Sequence, residues 1–336
     1  MGILRGSAYF IKKTVNNFFK IGFGNRVFFK IINIYLNERS PNPKIVRIES
    51  SNFCNGKCVF CPHGKQTRKQ GIMSTELYKK IIDECKRIGV REVHLQNFGE
   101  PLFDKNLFKK TEYAKRCGIR KTVIFSNGSL FDEKKITSMI NSGLDEIYIS
   151  FEGYSKKIFE ELRPGLKYDD VSRNIKNIHN IKKKLGRSNP KVIINVVFME
   201  KYQKLVDNLK GEWLKYVDQI NFQKLHQWSD SKKNNFDKNA ICNAFWNYIT
   251  ITWDGKVLIC CLDWDAKYIV GDVNKNSIEQ IWNNKKYRSF RRMVLNGKVK
   301  DIPLCKRCDL LEHENIYADF LKFSFVNSFC RWKNDQ

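Results

Sequence analysis

Three thiols stand close together in the run SNFCNGKCVFCPHG: Cys54, Cys58 and Cys61, spaced C-x3-C-x2-C. Three cysteines cannot pair off as disulfides without leaving one over, but three thiolates can hold three corners of a cubane iron–sulfur cluster. No fourth cysteine lies nearby, so one iron keeps an open position at which a substrate or cosubstrate can be activated. A zinc knuckle with His63 as fourth ligand is the alternative. A second set comes late in the chain. It consists of Cys242, Cys260 in the stretch WDGKVLICCLDW, and the pair Cys305 and Cys308 spaced C-x2-C. A tight C-x2-C turn lets both sulfurs face one ion or cluster, and Cys242 and Cys260 can complete a four-thiolate site, for iron–sulfur or for zinc.

The first run, including the aromatic Phe60 before its last cysteine, resembles the radical SAM superfamily. There the triad holds a [4Fe-4S] cluster whose fourth iron is chelated by S-adenosylmethionine, which is cleaved reductively to a 5′-deoxyadenosyl radical. The second set, with GDVNKNSIEQIWNNKKYRSFRR between its second and third ligands, resembles the SPASM domain in its shorter "twitch" form, which carries a second, auxiliary [4Fe-4S] cluster. No cysteines follow Cys308 at the full SPASM spacings and Cys330 stands alone, so one auxiliary cluster is expected. The distance from Gly255 favours Cys260 over Cys261 as the ligand.

These centres need elements to position them. From Lys44 to about Leu225, short apolar runs alternate with helical ones. Strands are expected at IVRIES, EVHLQNF, KTVIFS, EIYISF, VIINVVF and QINFQ. Helices are expected at TELYKKIIDECKRIG, NLFKKTEYAKRCG, EKKITSMINSG and DVSRNIKNIHNIKKKLG. Alternation of this kind implies parallel crossover units. Six units fit the α/β fold of the resembled family, a partial (β/α)6 TIM-like barrel, here followed by the small SPASM/twitch domain. Active sites of such barrels sit at the C-terminal ends of strands. The motifs obey that rule: the triad follows strand one, Gly99-Glu100-Pro101 follows strand two, and Ser126-Asn127-Gly128 closes strand three. The domain reading is a basic helical segment at 1–43, a barrel at 44–225, the auxiliary domain at 226–320 and a tail at 321–336.

The resemblance implies further site residues. NFGEP is similar to the family's GGE motif, with Phe98 in place of the first glycine. Backbone beside Gly99 and the carboxylate of Glu100 would take the ammonium of the methionine moiety. Ser150 would bond the cosubstrate ribose, Arg163 would pair with the methionine carboxylate through its planar fork, and Asn195 would contact sugar or adenine. For a base beside the substrate, the choices are Asp263 in CCLDWD and His226 after strand six.

Composition bounds the setting. The 336 residues are 42% hydrophobic, enough for one large and one smaller domain. Eleven cysteines in a chain of this length, seven of them in the two sets, read as metal chemistry in a reducing compartment, and the start does not read as a cleavable signal. Cys85, Cys117, Cys261 and Cys330 remain as ordinary thiols. The net charge of +26 is spread through the chain among asparagines and isoleucines, without a like-charge block, and no nucleic-acid binding is inferred from it. The opening MGILRGSAYFIKKTVNNFFKIGFGNRVFFKIINIYL contains no acid, the first being Glu38, and places Phe10, Ile11, Val15, Phe18 and Phe19 near helical spacing. Such a helix either packs on the barrel or lies at an anionic membrane surface. A cytoplasmic protein, with peripheral contact at the inner face of the membrane as an option, is the expectation.

An auxiliary cluster can accept the electron left when a substrate radical loses a proton. The reading is therefore a radical S-adenosylmethionine oxidoreductase acting on an alcohol of a sugar, cyclitol or related small molecule, served by a flavodoxin- or ferredoxin-like electron donor. Modification of a peptide side chain is the alternative within the family. A non-catalytic metal-binding or electron-transfer protein is the alternative outside it.

Overall fold

The computed structural model describes residues 42–225, 228, 242, 244–306 and 308. The basic opening, His226, Cys330 and the tail lie outside the described residues. Six strands follow in chain order: β1 (Ile45–Ile48), β2 (Glu92–Leu95), β3 (Lys121–Ser126), β4 (Glu146–Ser150), β5 (Lys191–Phe198) and β6 (Gln219–Lys224). Each pairs in parallel with the next, so sequence neighbours are sheet neighbours. The connections carry helices α1 (Thr75–Arg87), α2 (Leu107–Arg116), α3 (Glu133–Asn141), α4 (Lys156–Leu162), α5 (Tyr168–Lys184) and α6 (Val206–Trp213). All six expected strands and four expected helices are found within a few residues. The helices α4 and α6 escaped sequence reading because they are short, seven and eight residues, and α6 contains Gly211.

Strand alternation decides which face meets the helices. Val46, Ile48, Val93, Leu95, Ile147 and Ile149 are fully buried in the core cluster that also holds Tyr78, Ile81 and Ile82 of α1. Their neighbours Arg47, His94 and Tyr148 point to the opposite face, as the period of two requires. Caps define the helix starts: Ser74, Asp132 and Ser155 each accept a hydrogen bond from a first-turn backbone N–H.

The C-terminal part is joined to the barrel through the sheet itself. After the short helix α7 (Ala244–Asn247), β7 (Tyr248–Ile251) pairs in parallel with β1, and β8 (Lys256–Leu258) and β9 (Ile269–Asp272) extend it antiparallel. The sheet order is β6-β5-β4-β3-β2-β1-β7-β8-β9. The β-branched alternation Tyr-Ile-Thr-Ile suits the open edge of β1, whose backbone groups would otherwise lack partners. Two helices, α8 (Ile278–Trp282) and α9 (Lys285–Leu295), follow. Among the described residues no helix is long and apolar enough to cross a membrane.

Candidate active site

The loop bearing the first three cysteines leaves the end of β1 and is pinned from two sides. The Lys57 N–H donates to the Pro164 carbonyl at 2.7 Å and the Val59 N–H to the Leu162 carbonyl at 3.0 Å, beyond the end of α4. The Asn55 side chain donates to Ser129 Oγ and accepts from Asn127 Nδ2, both at 2.9 Å, after β3. Gly165 makes the close approach possible: it has φ +89°, and a Cβ there would lie 2.8 Å from the Asn55 carbonyl oxygen. Cys54, Cys58 and Cys61 are all free thiols near enough to feel one another's charge. Burial, reinforced by Glu100 and the other two cysteines, pushes the Cys54 thiol up to about 12. Burial also raises Cys61. Three crowded thiols that resist ionisation are a fitting donor set for cationic iron, which deprotonates a coordinating thiol outright. His63 is otherwise engaged, its Nε2 lying 2.8 Å from the Asn52 carbonyl. Among the described residues no three such ligands converge at the spacing of a single metal ion, and a cubane spreads its thiolates more widely.

Gly99 and Glu100 stand where the sequence places them, beside this loop at the end of β2. Gly99 has φ +129°, and a Cβ there would lie 2.4 Å from the Ser51 carbonyl oxygen, so the backbone needs glycine regardless of Phe98 before it. Glu100 is buried, and its carboxylate accepts from the Leu102 N–H (3.1 Å), Ser126 Oγ (2.8 Å) and the Asn127 N–H (2.6 Å). It thus caps the turn Pro101–Phe103 and ties β2 to β3. A carboxylate offers about four acceptor positions, so one remains for a cationic group. Burial raises its pKa to about 7 against the opposing pull of those donors.

Arg163 lies against the same loop with its fork already filled. Its Nε and Nη2 hold the two oxygens of Glu152, the second at 2.8 Å, and Nη1 points to Cys58 Sγ at 3.4 Å. Three of its five N–H donors are thereby engaged, so the fork expected to meet a cosubstrate carboxylate holds Glu152, and one N–H each on Nη1 and Nη2 is left for a ligand. Ser150 ends β4 beside Asn195 of β5 as its register partner. Asn195 is buried, donates through Nδ2 to Gln223 Oε1 at 2.9 Å, and leaves Oδ1 shielded without a partner.

The second cysteine set also converges. Cys305 feels the charges of Cys242 and Cys308, and Cys260 those of Cys242 and Cys305; all four are free thiols. The Cys308 N–H donates to the Cys305 carbonyl at 3.1 Å, the tight turn that C-x2-C implies. Cys261 does not turn away from Cys260: each thiol feels the other. Its other partner is the guanidinium of Arg47, so it stands at the margin of the four rather than among them. Asp263 closes the turn after Cys260, its N–H donating to the Cys260 carbonyl at 3.1 Å. Both its oxygens accept from its own turn, from the Lys267 N–H at 2.9 Å and the Tyr268 N–H at 2.7 Å. His226 lies outside the described residues.

A contact unforeseen in the sequence links the two cysteine regions. After Cys61 the chain runs into Gln66, Thr67 and Arg68, which grip the turn after Cys260. Gln66 Nε2 and Arg68 Nε donate to the Trp264 carbonyl at 2.8 and 3.1 Å, and Asp265 accepts from the Thr67 N–H at 2.6 Å. Arg68 is also forked onto Glu49, fully buried just after β1, at 2.6 and 2.5 Å. The only sequence signals for this were an acid ending an apolar strand and a basic residue a short loop later, too common a pattern to single out.

Residues 48–207 match the family model of the radical SAM superfamily, and residues 242–309 match that of SPASM, an iron–sulfur cluster-binding domain. Among curated proteins the chain is similar to S-adenosyl-L-methionine-dependent 2-deoxy-scyllo-inosamine dehydrogenase of Niallia circulans, 25% identical over 79% of this chain and 92% of that protein. Among solved structures it is similar to BtrN in complex with AdoMet and 2-DOIA (TM-score 0.56, 22% identity, 80% of this chain and 93% of that one). It also resembles Streptococcus suis SuiB bound to precursor peptide SuiA (TM-score 0.64, 16% identity, 83% and 74%). The chain carries a radical SAM domain over residues 48–207, with the cysteine triad of a [4Fe-4S] site, followed by a SPASM iron–sulfur cluster-binding domain over residues 242–309.

Proposed function

We infer that the protein is a dehydrogenase that oxidises an alcohol on a cyclitol, sugar or related small molecule. The observation that carries this is the likeness to a cyclitol dehydrogenase over nearly the whole of that protein. The two cysteine regions clasped to each other through residues 66–68 and 264–265 support it. When bound, the clusters supply one-electron chemistry, reductive cleavage of S-adenosylmethionine at the triad and electron acceptance at the auxiliary set. The chain's own task is to hold substrate between them and to keep water out. The test is anaerobic turnover of a panel of amino-cyclitols, inositols and hexoses with a flavodoxin- or ferredoxin-like donor. A ketone formed in step with 5′-deoxyadenosine is the expected result; a panel that releases no 5′-deoxyadenosine above background would refute the reading.

Glu100 takes the cosubstrate ammonium with its remaining acceptor position, and Ser150 and Asn195 face the sugar or base. The unpartnered Oδ1 of Asn195 is what such a contact would complete. Only the ionised carboxylate binds a cation well, and burial holds Glu100 half-protonated near pH 7. Affinity for S-adenosylmethionine is therefore expected to climb up to about tenfold per pH unit below that point and level off above it. Equilibrium dialysis across this range checks it, and a flat profile would remove Glu100 from the contact.

For the opening segment, basic and aromatic with no acid before Glu38, we propose contact with anionic membrane surfaces, packing on the barrel being the other outcome of the test. Salt-sensitive sedimentation with phosphatidylglycerol vesicles is expected for the full chain, and its persistence after deletion of residues 1–35 would contradict this.

A further inference from the structure

Arg47 of β1 and His94 of β2 are register partners on the sheet face turned away from the helices. The same face carries Phe125 of β3, whose ring lies 6.3 Å from that of His94 and stacks on Tyr148 of β4 at 4.3 Å, 9° from parallel. It continues to Asn195, the register partner of Ser150, two residues beyond Tyr148. This face carries three buried polar atoms with no hydrogen-bond partner: Arg47 Nε, His94 Nδ1 and Asn195 Oδ1. Each such atom costs about 1–3 kcal/mol when left unsatisfied, so a cluster of them on one face marks a place that a polar guest completes.

The histidine is held in a definite form. His94 Nε2 lies 2.7 Å from Glu92 Oε1. The hydrogen bond keeps Glu92 below the usual carboxylate range, and an ionised carboxylate only accepts, so Nε2 carries the proton and Nδ1 keeps its lone pair. The charged groups facing the ring are Glu92 on its own strand, Arg47 on β1 and Lys121 on β3, the last 3.8 Å from Glu92. Burial, with Arg47 and Lys121, outweighs Glu92 and keeps the imidazole below its ordinary pKa, neutral at pH 7. Arg47 meanwhile lies over the Tyr248 ring at 4.5 Å, near enough to Cys261, the residue next to the auxiliary ligand Cys260, for its charge to be felt there. Arg47 thus links the layer of the sheet that holds His94 to the residue beside an auxiliary ligand.

We propose that His94, oriented by Glu92, is the base that removes the hydroxyl proton of the substrate at Nδ1, while Arg47 holds the same oxygen. This rests on the dehydrogenase reading above. The balance is closed: the carbon loses a hydrogen atom to the adenosyl group, and the O–H bond then breaks with its proton going to Nδ1. The remaining electron goes to the iron–sulfur acceptor of the four auxiliary cysteines, and carbon and oxygen become a carbonyl. Asp263, whose two oxygens each accept one N–H of its own turn, keeps lone pairs and is the competing candidate for the base.

The experiment uses the full chain with both sites loaded, and as probe whichever compound of the panel, beginning with 2-deoxy-scyllo-inosamine, releases 5′-deoxyadenosine from the unaltered protein. In His94→Gln, iron content and S-adenosylmethionine binding should stay within about twofold, while ketone formation falls by about 100-fold or more, the usual worth of a general base. A substrate-derived organic radical should then accumulate in freeze-quenched samples, visible by electron paramagnetic resonance. At saturating S-adenosylmethionine, ketone formation by the unaltered chain should fall as pH drops below the ordinary imidazole range; in His94→Gln that limb should be gone. Glu92→Gln should keep the limb with a smaller loss of rate. Ketone formed by His94→Gln at the unaltered rate would overturn the proposal. So would a loss accompanied by lost iron and no radical signal, which would leave His94 a packing residue. If no probe elicits 5′-deoxyadenosine from the unaltered chain, the dehydrogenase reading falls, and the base with it.

Discussion

Replacing Cys54, Cys58 and Cys61 together by alanine is expected to halve the iron of the anaerobically reconstituted protein, from about eight atoms to about four. Cleavage of S-adenosylmethionine should fall to background. The three sulfurs feel one another in a loop fixed by the end of α4 and the turn after β3, and no other described cysteine joins them. Loss of the donor set should leave the loop standing, because its anchors are backbone carbonyls and Asn55, which the substitutions do not touch. Iron and visible absorbance are the measurements, with denaturant midpoint as control. Cleavage that survives the triple substitution would refute the site, and tightly bound zinc without visible absorbance would replace it with a structural metal.

Cys260→Ala and Cys261→Ala should separate neighbours that the sequence alone cannot rank firmly. Cys260 shares the charge environment of Cys242 and Cys305, whereas Cys261 leans on Arg47. The first substitution should remove about four irons, spare 5′-deoxyadenosine release and suppress ketone formation by about two orders of magnitude or more, because the substrate's electron has no acceptor. The second should keep both clusters and product, with at most a tenfold fall from the disturbed Arg47. Ketone made at the normal rate by a Cys260→Ala protein lacking auxiliary iron would refute the electron-acceptor role and weaken the case for a dehydrogenase. Equal damage from both substitutions would show that the contact between the two thiols matters more than either position.

The barrel was legible because each strand from β1 to β6 is a short apolar run closed by a polar motif, and parallel pairing follows from helices between them. The cysteines were legible because metal chemistry restricts both residue type and spacing. What could not be read was pairing at long range. Whether Arg163 meets a ligand or Glu152 depends on two chain segments folding together, and the acid gives no local signal. Asp263 looked free because its position after Cys261 says nothing of the turn whose N–H groups it accepts. The role inferred for His94 depends on Glu92 two residues away, on the same strand face, and on Arg47 across the sheet; in sequence it is an unremarked strand residue.

The pairing of β1 with β7 has a consequence for synthesis of the chain. Ile45 meets Tyr248, a partner made about 200 residues later. At about 5–20 residues per second, the first strand waits roughly 10–40 seconds on the ribosome before that neighbour exists. Until then one edge of the barrel sheet is open, available to another nascent chain or to a chaperone. A chain cut after β6 should aggregate rather than persist as a smaller barrel.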